Sequence, residues 1–262
     1  MAGSSPLSRF RPVLELRARI LQAIRLFFEA RGFLEVETPV RIAAPAPELY
    51  IDALSCGDTW LRTSPELEMK QLLAAGYERL YQIGPCFRQN EQGPRHHPEF
   101  TMLEWYRARA DYRDILADTK ALIAAVAEAV LGRTWLDYDG TRIELMPVWE
   151  VMTVPEAFQA FAGWNPVEHF DAERFNSDLV NKIEPNLPRG CPVILMDYPA
   201  PLAALARRKP ARNATYSVAG GLADPRVAER WELYIGGIEL ANAFSELTCP
   251  AEQRERFEAC AA

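Results

Sequence analysis

Charged and aromatic side chains concentrate in one stretch, Phe87-Arg88-Gln89-Asn90-Glu91-Gln92-Gly93-Pro94-Arg95-His96-His97-Pro98-Glu99-Phe100-Thr101-Met102-Leu103-Glu104-Trp105-Tyr106. Between Arg88 and Glu104 lie two of the chain's three histidines, two arginines and three glutamates. Arg88 and His96, placed across one loop, have the donor chemistry to grip phosphate oxygens by charge-assisted hydrogen bonds. In an extended strand, alternation sets Phe100, Met102, Glu104 and Tyr106 on one face and Thr101, Leu103, Trp105 and Arg107 on the other. A carboxylate among aromatics on a packed face needs a partner, which singles out Glu104. The competing reading is a solvated hairpin with charged sides.

A second stretch, Trp231–Leu247, carries Glu232, Glu239 and Glu246 seven residues apart. On a helix these would form a solvent stripe. Gly236-Gly237 and the β-branched and aromatic content argue for strand, where odd spacing alternates faces. A bulge at the glycines would return two of the glutamates to one face. Clustered carboxylates in an apolar strand then suit Mg²⁺ or a cationic substrate group.

Helices and hairpin-like strands must position these groups. Residues 12–31 have the apolar spacing of an amphipathic helix, with Gly32 at its stop. A strand over Phe33–Glu37 ends at Pro39, and Ala43–Glu48 reads as a loop. A strand over Trp60–Thr63 leads into a helix running to Leu73, with Ser64 as its N-cap and Pro65 in its first position. Strands over Arg79–Gly84 and Glu99–Arg109 flank the polar loop Gln89–Pro98 as a long hairpin. Asp114–Leu131 is helical. From Leu131 to Pro210 the pattern breaks into short elements. Trp231–Thr248 is strand-like, and a charged helix begins near Ala251. Helices mixed with hairpins point to an α+β fold with a largely antiparallel sheet in a single domain over residues 1–262.

The chain has 262 residues with 29 basic against 36 acidic side chains, a net charge of −7. Hydrophobic residues at 49% and charged residues at 25% exclude disordered, collagenous and coiled-coil classes. The acidity disfavours nucleic-acid binding by bulk electrostatics. No apolar run reaches the length of a membrane span, and the first residues lack the apolar core of a signal peptide. Five widely spaced cysteines without a CxxC pair argue against a disulfide framework or zinc site and for a reducing, cytoplasmic setting. Neither GxxxxGK[ST] nor GxGxxG occurs.

At these residues the chain resembles the class II lysyl-tRNA synthetases, and within them the short paralogues that attach lysine to translation elongation factor P. Gly32-Phe33-Leu34-Glu35-Val36-Glu37-Thr38-Pro39 is similar to motif 1, the dimer-forming segment, and Thr63-Ser64-Pro65-Glu66 to the family's TSPE segment. Phe87–Tyr106 resembles motif 2. Asp224–Arg230, leading into Gly237-Ile238-Glu239-Leu240-Ala241-Asn242, resembles the segment that holds metal and amino acid. The resemblance implies a class II catalytic domain with a mostly antiparallel sheet flanked by helices. Arg88 would bind the α-phosphate of ATP and stabilise the charge growing on it, making it the catalytic residue. Glu91 and His96 would hold ATP, Glu232 and Glu239 would bind Mg²⁺ on the phosphates, and Glu66, Glu104, Tyr106, Asn242 and Glu246 would form the amino-acid pocket. The substrate implied is lysine or β-lysine, and the chain would dimerise through motif 1.

The motif 1 helix begins almost at Met1, so the expectation is a chain without an anticodon-binding domain. With the acidity, this sets the expectation of a ligase acting on elongation factor P rather than on tRNA. No GxDR-like sequence occurs, so the expectation is also a chain truncated before motif 3. The competing readings are a non-catalytic remnant that dimerises or binds a partner, and aminoacylation of tRNA.

Overall fold

The computed structural model describes residues 6–46, 51–203, 205–210 and 226–261, with side chains to 259. Glu48 and Asp224-Pro225, named above, and the side chain of Cys260, one of the five cysteines, lie outside the described residues. The chain divides into two compact units. One runs to Arg109 and includes the chain from Arg254, and the other is Ala110–Gln253.

In the first unit, α1 (Arg11–Glu29) forms where the apolar spacing predicts it, with Pro12 in its first turn and Gly32 at φ +71° just beyond it. Its inner face is set by Phe27 and Phe28, both buried. The Phe28 ring stacks on Tyr81 with centroids 4.6 Å apart and meets Phe33 and Trp105. Strands β1 (Leu34–Glu35), β2 (Arg41–Ile42), β3 (Ser55–Cys56) and β4 (Thr59–Leu61) follow. Helix α2 (Glu66–Ala74) starts one residue later than the sequence suggests. Pro65 takes the cap position, yet the Ser64 hydroxyl still accepts from the Glu66 amide at 3.2 Å, so the serine keeps its capping chemistry. Strands β5 (Arg79–Phe87) and β6 (Glu99–Arg107) form a nine-pair antiparallel ladder, and β1 joins β5 in parallel, giving the order β1-β5-β6. β2-β4-β3 is a separate small antiparallel sheet.

The second unit opens with α3 (Tyr112–Leu131). Asp111 rather than Asp114 starts it. The Asp111 carboxylate accepts from the amides of Arg113 and Asp114, and the Asp114 carboxylate accepts from the Asp111 amide, closing a capping box. The region of weak signal resolves into the hairpin β7 (Trp135–Tyr138) and β8 (Thr141–Glu144), β9 (Glu150–Thr153), α4 (Val154–Phe161), α5 (Ala172–Asp178) and β10 (Val193–Pro199). Strands β11 (Val227–Ile235) and β12 (Ile238–Phe244) complete the sheet β12-β11-β10-β9, antiparallel except for β9 on β10. One face packs Val193, Leu195, Tyr198 and Tyr234 against α4 and α5, and the other packs Ile194, Trp231, Leu233 and Ile235 beside Tyr112. Helix α6 (Pro250–Ala261) ends the described chain.

The expected bulge at Gly236-Gly237 is corrected. These residues, at φ +62° and +79°, make the two-residue turn between β11 and β12, a conformation that glycine adopts without strain. A Cβ on Gly236 would come within 2.9 Å of Ile143 and 3.0 Å of Tyr138, so the β7–β8 hairpin also requires glycine there. The irregularity lies at Leu240, where β12 spends one extra residue between the partners of Leu233 and Tyr234. Among the described residues, no helix is long and apolar enough to cross a membrane.

Candidate active site

Six of the residues singled out by sequence belong to the first unit: Glu66, Arg88, Glu91, His96, Glu104 and Tyr106. Arg88 directly follows β5, and its amide donates to the Pro98 carbonyl at 3.0 Å, closing the base of the loop. Within the loop the Gly93 amide donates to the His96 carbonyl. Asn90 is at φ +66°, a left-handed conformation that asparagine tolerates. The Arg88 guanidinium stands 3.6 Å from the Glu91 carboxylate and over the Phe100 ring at 5.3 Å. Its Nε is buried and has no hydrogen-bond partner among the described residues. Asn90, Glu91, Gln92, Gly93 and His96 line an open cavity of about 340 Å³. The loop therefore carries all three residues that sequence singled out, with Arg88 and Glu91 side by side and Glu91 and His96 lining the cavity.

The alternation read from sequence holds in β6. Trp105 turns toward Phe28 on α1, and Thr101 takes a bond from Arg17 of the same helix. Glu104 and Tyr106 share the opposite face, where the Tyr106 hydroxyl donates to Glu104 at 2.7 Å. Across the ladder Glu104 faces Gln82, whose Nε2 is buried without a partner among the described residues while its Oε1 accepts from the Thr38 amide. Helix α2 packs on β5 and β6. From its first turn Glu66 accepts from Lys70 at 2.5 Å, an ion pair that is mostly buried.

Glu232, Glu239, Asn242 and Glu246 belong to the second unit. Cross-strand register pairs Glu232 with Asn242 and Tyr234 with Glu239, so all four share one face of the hairpin. The Leu240 bulge is what brings Glu239 round to the face of Glu232. Glu246 lies beyond β12 and pairs by a single bridge with Ala206. Glu232 is buried and triply held. Its Oε2 accepts from the hydroxyls of Tyr198 at 2.5 Å and Tyr234 at 2.8 Å, and its Oε1 from Arg230 at 2.7 Å. Burial, and then the Glu232 charge, push both phenols above their ordinary titration range, so they remain donors. Arg230 reaches on to the Leu202 carbonyl and lies over the Tyr198 ring.

Tyr198, Tyr234 and Arg230 were not among the site residues read from sequence. Arg230, Glu232 and Tyr234 do stand at alternate positions of one strand, a visible polar stripe. Tyr198 comes from β10 and carried no such signal. Arg62, the residue before the TSPE segment, was missed as well. It is 1% exposed and donates to Pro85 and Thr38.

Comparison with known proteins gives these positions a context. The chain is 39% identical over 274 residues to a lysine–tRNA ligase of Pelotomaculum thermopropionicum, covering 94% of this chain and 51% of the relative. Its identity to a lysine–tRNA ligase of Chromohalobacter salexigens is 37% over 278 residues, covering 96% and 53%. For a lysine–tRNA ligase of Bacillus subtilis it is 35% over 269 residues, covering 93% and 51%. The chain thus spans about half the length of the curated relatives it matches. Its mixed α+β content, with largely antiparallel sheets flanked by helices, is that of a class II synthetase domain. Residues 7–261 match the model of the tRNA synthetases class II (D, K and N), and the chain belongs to that family.

Proposed function

We propose that the protein activates lysine or β-lysine with ATP and transfers it from the adenylate to an acceptor. The observation that carries the choice of amino acid is the similarity, along almost the whole chain, to enzymes named lysine–tRNA ligases. In the first half-reaction the amino acid's carboxylate oxygen attacks the α-phosphorus, a new P–O bond forms and pyrophosphate leaves. This step needs in-line positioning and stabilisation of phosphoryl oxygens more than proton transfer. Arg88 is the catalytic residue, a role supported by the resemblance of Phe87–Tyr106 to motif 2 and by its part-exposed guanidinium beside Glu91 in the loop. Glu91 and His96 hold ATP from the loop cavity they line. Glu66, Glu104, Tyr106, Asn242 and Glu246 receive the amino acid, whose two ammonium groups suit several carboxylates. Residues 1–262 act as a single catalytic domain.

Glu232 and Glu239 fit Mg²⁺ by chemistry, because both are hard oxygen donors on one face of the hairpin. Among the described residues, no group of three or more potential ligands gathers. Mg²⁺ in phosphate chemistry needs only one or two carboxylates, the remaining positions going to water and phosphate. Glu232 keeps a lone pair on Oε1, and Glu239 is exposed. The bound ion would supply neutralising charge to the phosphates.

For the second half-reaction we propose a lysine side chain of elongation factor P, whose ε-amine attacks the carbonyl and releases AMP. The net charge of −7 supports a protein acceptor over a polyanion. The second reading, transfer to tRNA, is favoured by the names of the relatives. Both place the protein in the cytoplasm, acting as a dimer through motif 1. The exposed apolar side chains Val13, Leu14 and Leu16 on α1 support that dimer.

The test is exchange of labelled pyrophosphate into ATP. We expect exchange that depends on lysine or β-lysine and is abolished by Arg88→Ala. An active wild-type chain indifferent to that substitution, or a chain inactive with both amino acids, overturns the reading. Incubation with elongation factor P and with total tRNA then separates the two acceptors.

A further inference from the structure

Arg62 is buried to 1% exposure, yet among the described residues no carboxylate bonds to it. Its Nε donates to the Pro85 carbonyl at 2.9 Å. Its Nη1 donates to the Thr38 carbonyl at 2.9 Å and the Thr38 hydroxyl at 3.1 Å. The main chain of the same residue adds two more ties, donating from its amide to the Val40 carbonyl and accepting from the Phe87 amide. The Cys86 thiol is within electrostatic reach of this guanidinium and of Arg88 and Glu104. Space for the guanidinium exists because residue 84 is glycine, where a Cβ would stand 2.6 Å from Nη2.

Burying a cation is costly, and a site that only needed filling is served as well by an apolar side chain. Arg62 adds something an apolar residue cannot: one planar donor fork that joins segments far apart in sequence. Thr38 is the next-to-last residue of the motif 1 segment, and Pro85 of β5 lies three residues before Arg88. Arg62 itself leads through Thr63-Ser64-Pro65 to Glu66. The fork therefore fixes the strand end that carries Arg88 relative to the turn that carries Glu66.

We propose that Arg62 is a positioning residue, which sets Arg88 and Glu66 in register for the adenylation reaction without touching substrate. This rests on the function proposed above. A small misplacement of reacting groups costs rate out of proportion to its size, on the order of 100-fold for about 1 Å.

The test compares wild type, Arg62→Lys and Thr38→Val as full chains. Lysine-dependent pyrophosphate exchange is expressed per folded molecule, with folding followed by circular dichroism on heating. Arg62→Lys keeps the charge and loses the fork. We expect its kcat to fall by about tenfold or more and its KM for ATP and lysine to rise. Thr38→Val removes one acceptor and should shift both constants the same way by a few-fold. A role confined to stability would lower the melting temperature and leave the constants of the folded protein unchanged. The proposal is overturned if folded Arg62→Lys shows wild-type kcat and KM. It is equally overturned if Arg62→Lys does not fold while Thr38→Val folds with wild-type constants. A wild-type chain without exchange overturns the proposed function, and this inference with it, whereas an active wild type matched by its variants overturns this inference alone.

Discussion

The Tyr198 hydroxyl donates to Glu232 across 2.5 Å, linking β10 to β11 at a carboxylate that Tyr234 and Arg230 also hold. A buried carboxylate left short of partners is expensive, and here three donors from two strands share the task. Tyr198→Phe should cost about 1–3 kcal/mol, because it leaves one lone pair of a buried charge unmet. Arg230→Met should cost about 3–5 kcal/mol, because it removes the compensating charge. Urea unfolding of each variant measures these losses. A midpoint for Tyr198→Phe equal to wild type would contradict the network.

Gly84→Ala tests the crowding around Arg62 from the other side. The substitution needs no unusual backbone, so its effect comes from the Cβ placed 2.6 Å from Nη2, a guanidinium held by three hydrogen bonds. We expect a loss of about 1–3 kcal/mol, typical of forced overpacking. Thermal unfolding checks it, and an unchanged melting temperature would mean that the fork yields freely.

The Glu104–Tyr106 pair bears on substrate affinity. If Glu104 receives a substrate ammonium, Glu104→Gln should raise KM for lysine by on the order of 10- to 100-fold, the range of a hydrogen bond to a charged group. Tyr106→Phe should act in the same direction and more weakly, since it removes only the 2.7 Å bond that orients the carboxylate. Steady-state exchange at saturating ATP separates KM from kcat. An unaltered KM in Glu104→Gln would remove this residue from the pocket.

Cysteine reactivity should divide sharply. Burial pushes the Cys86 thiol up to about 11, so at pH 8 almost none of it is the reactive thiolate. Cys249 is exposed. Alkylation at pH 8 followed by mass spectrometry should label Cys249 first and Cys86 only on unfolding. Labelling of Cys86 at a comparable rate in the folded protein would contradict its burial.

The start of α4 should carry a pH signature. Thr153 donates to the Glu156 carboxylate from its amide at 2.9 Å and its hydroxyl at 2.7 Å, and these bonds hold the carboxyl below the ordinary range. A lowered folded-state value contributes stability that is present above the ordinary carboxylate range and lost as pH falls through the folded value. Glu156→Gln should therefore be less stable than wild type at pH 7, with the difference vanishing in acid. Thr153→Ala should cost about 1 kcal/mol at pH 7. Urea midpoints over a pH series give both, and a gap between wild type and Glu156→Gln that persists in acid would exclude the linkage.

Local order was largely legible. Apolar spacing located α1 and most of α3, and alternation assigned the two faces of β6 correctly. Those patterns arise from the helix and strand repeats themselves. β10 was missed because Val193-Ile194-Leu195-Met196 is a continuous apolar run, and a strand buried on both faces has no alternation to display. α4 was missed although Thr153 and Glu156 spell a capping box, since its eight residues are too few for a clear period.

Sequence alone was enough to put Arg88, Glu91 and His96 on one loop, Glu104 and Tyr106 on one face of β6, and the chain in the α+β class. All of these depend on residues close in the chain. Only the tertiary structure decided that the Leu240 bulge, not the glycine pair, brings Glu239 to the face of Glu232. It alone revealed Tyr198 reaching Glu232 across 34 positions and Arg62 reaching Thr38 across 24. The physical reason is that a buried charge selects its partners by proximity in the folded core, where each missing hydrogen bond costs far more than in water. Neighbours in space at that depth leave no periodic trace along the chain.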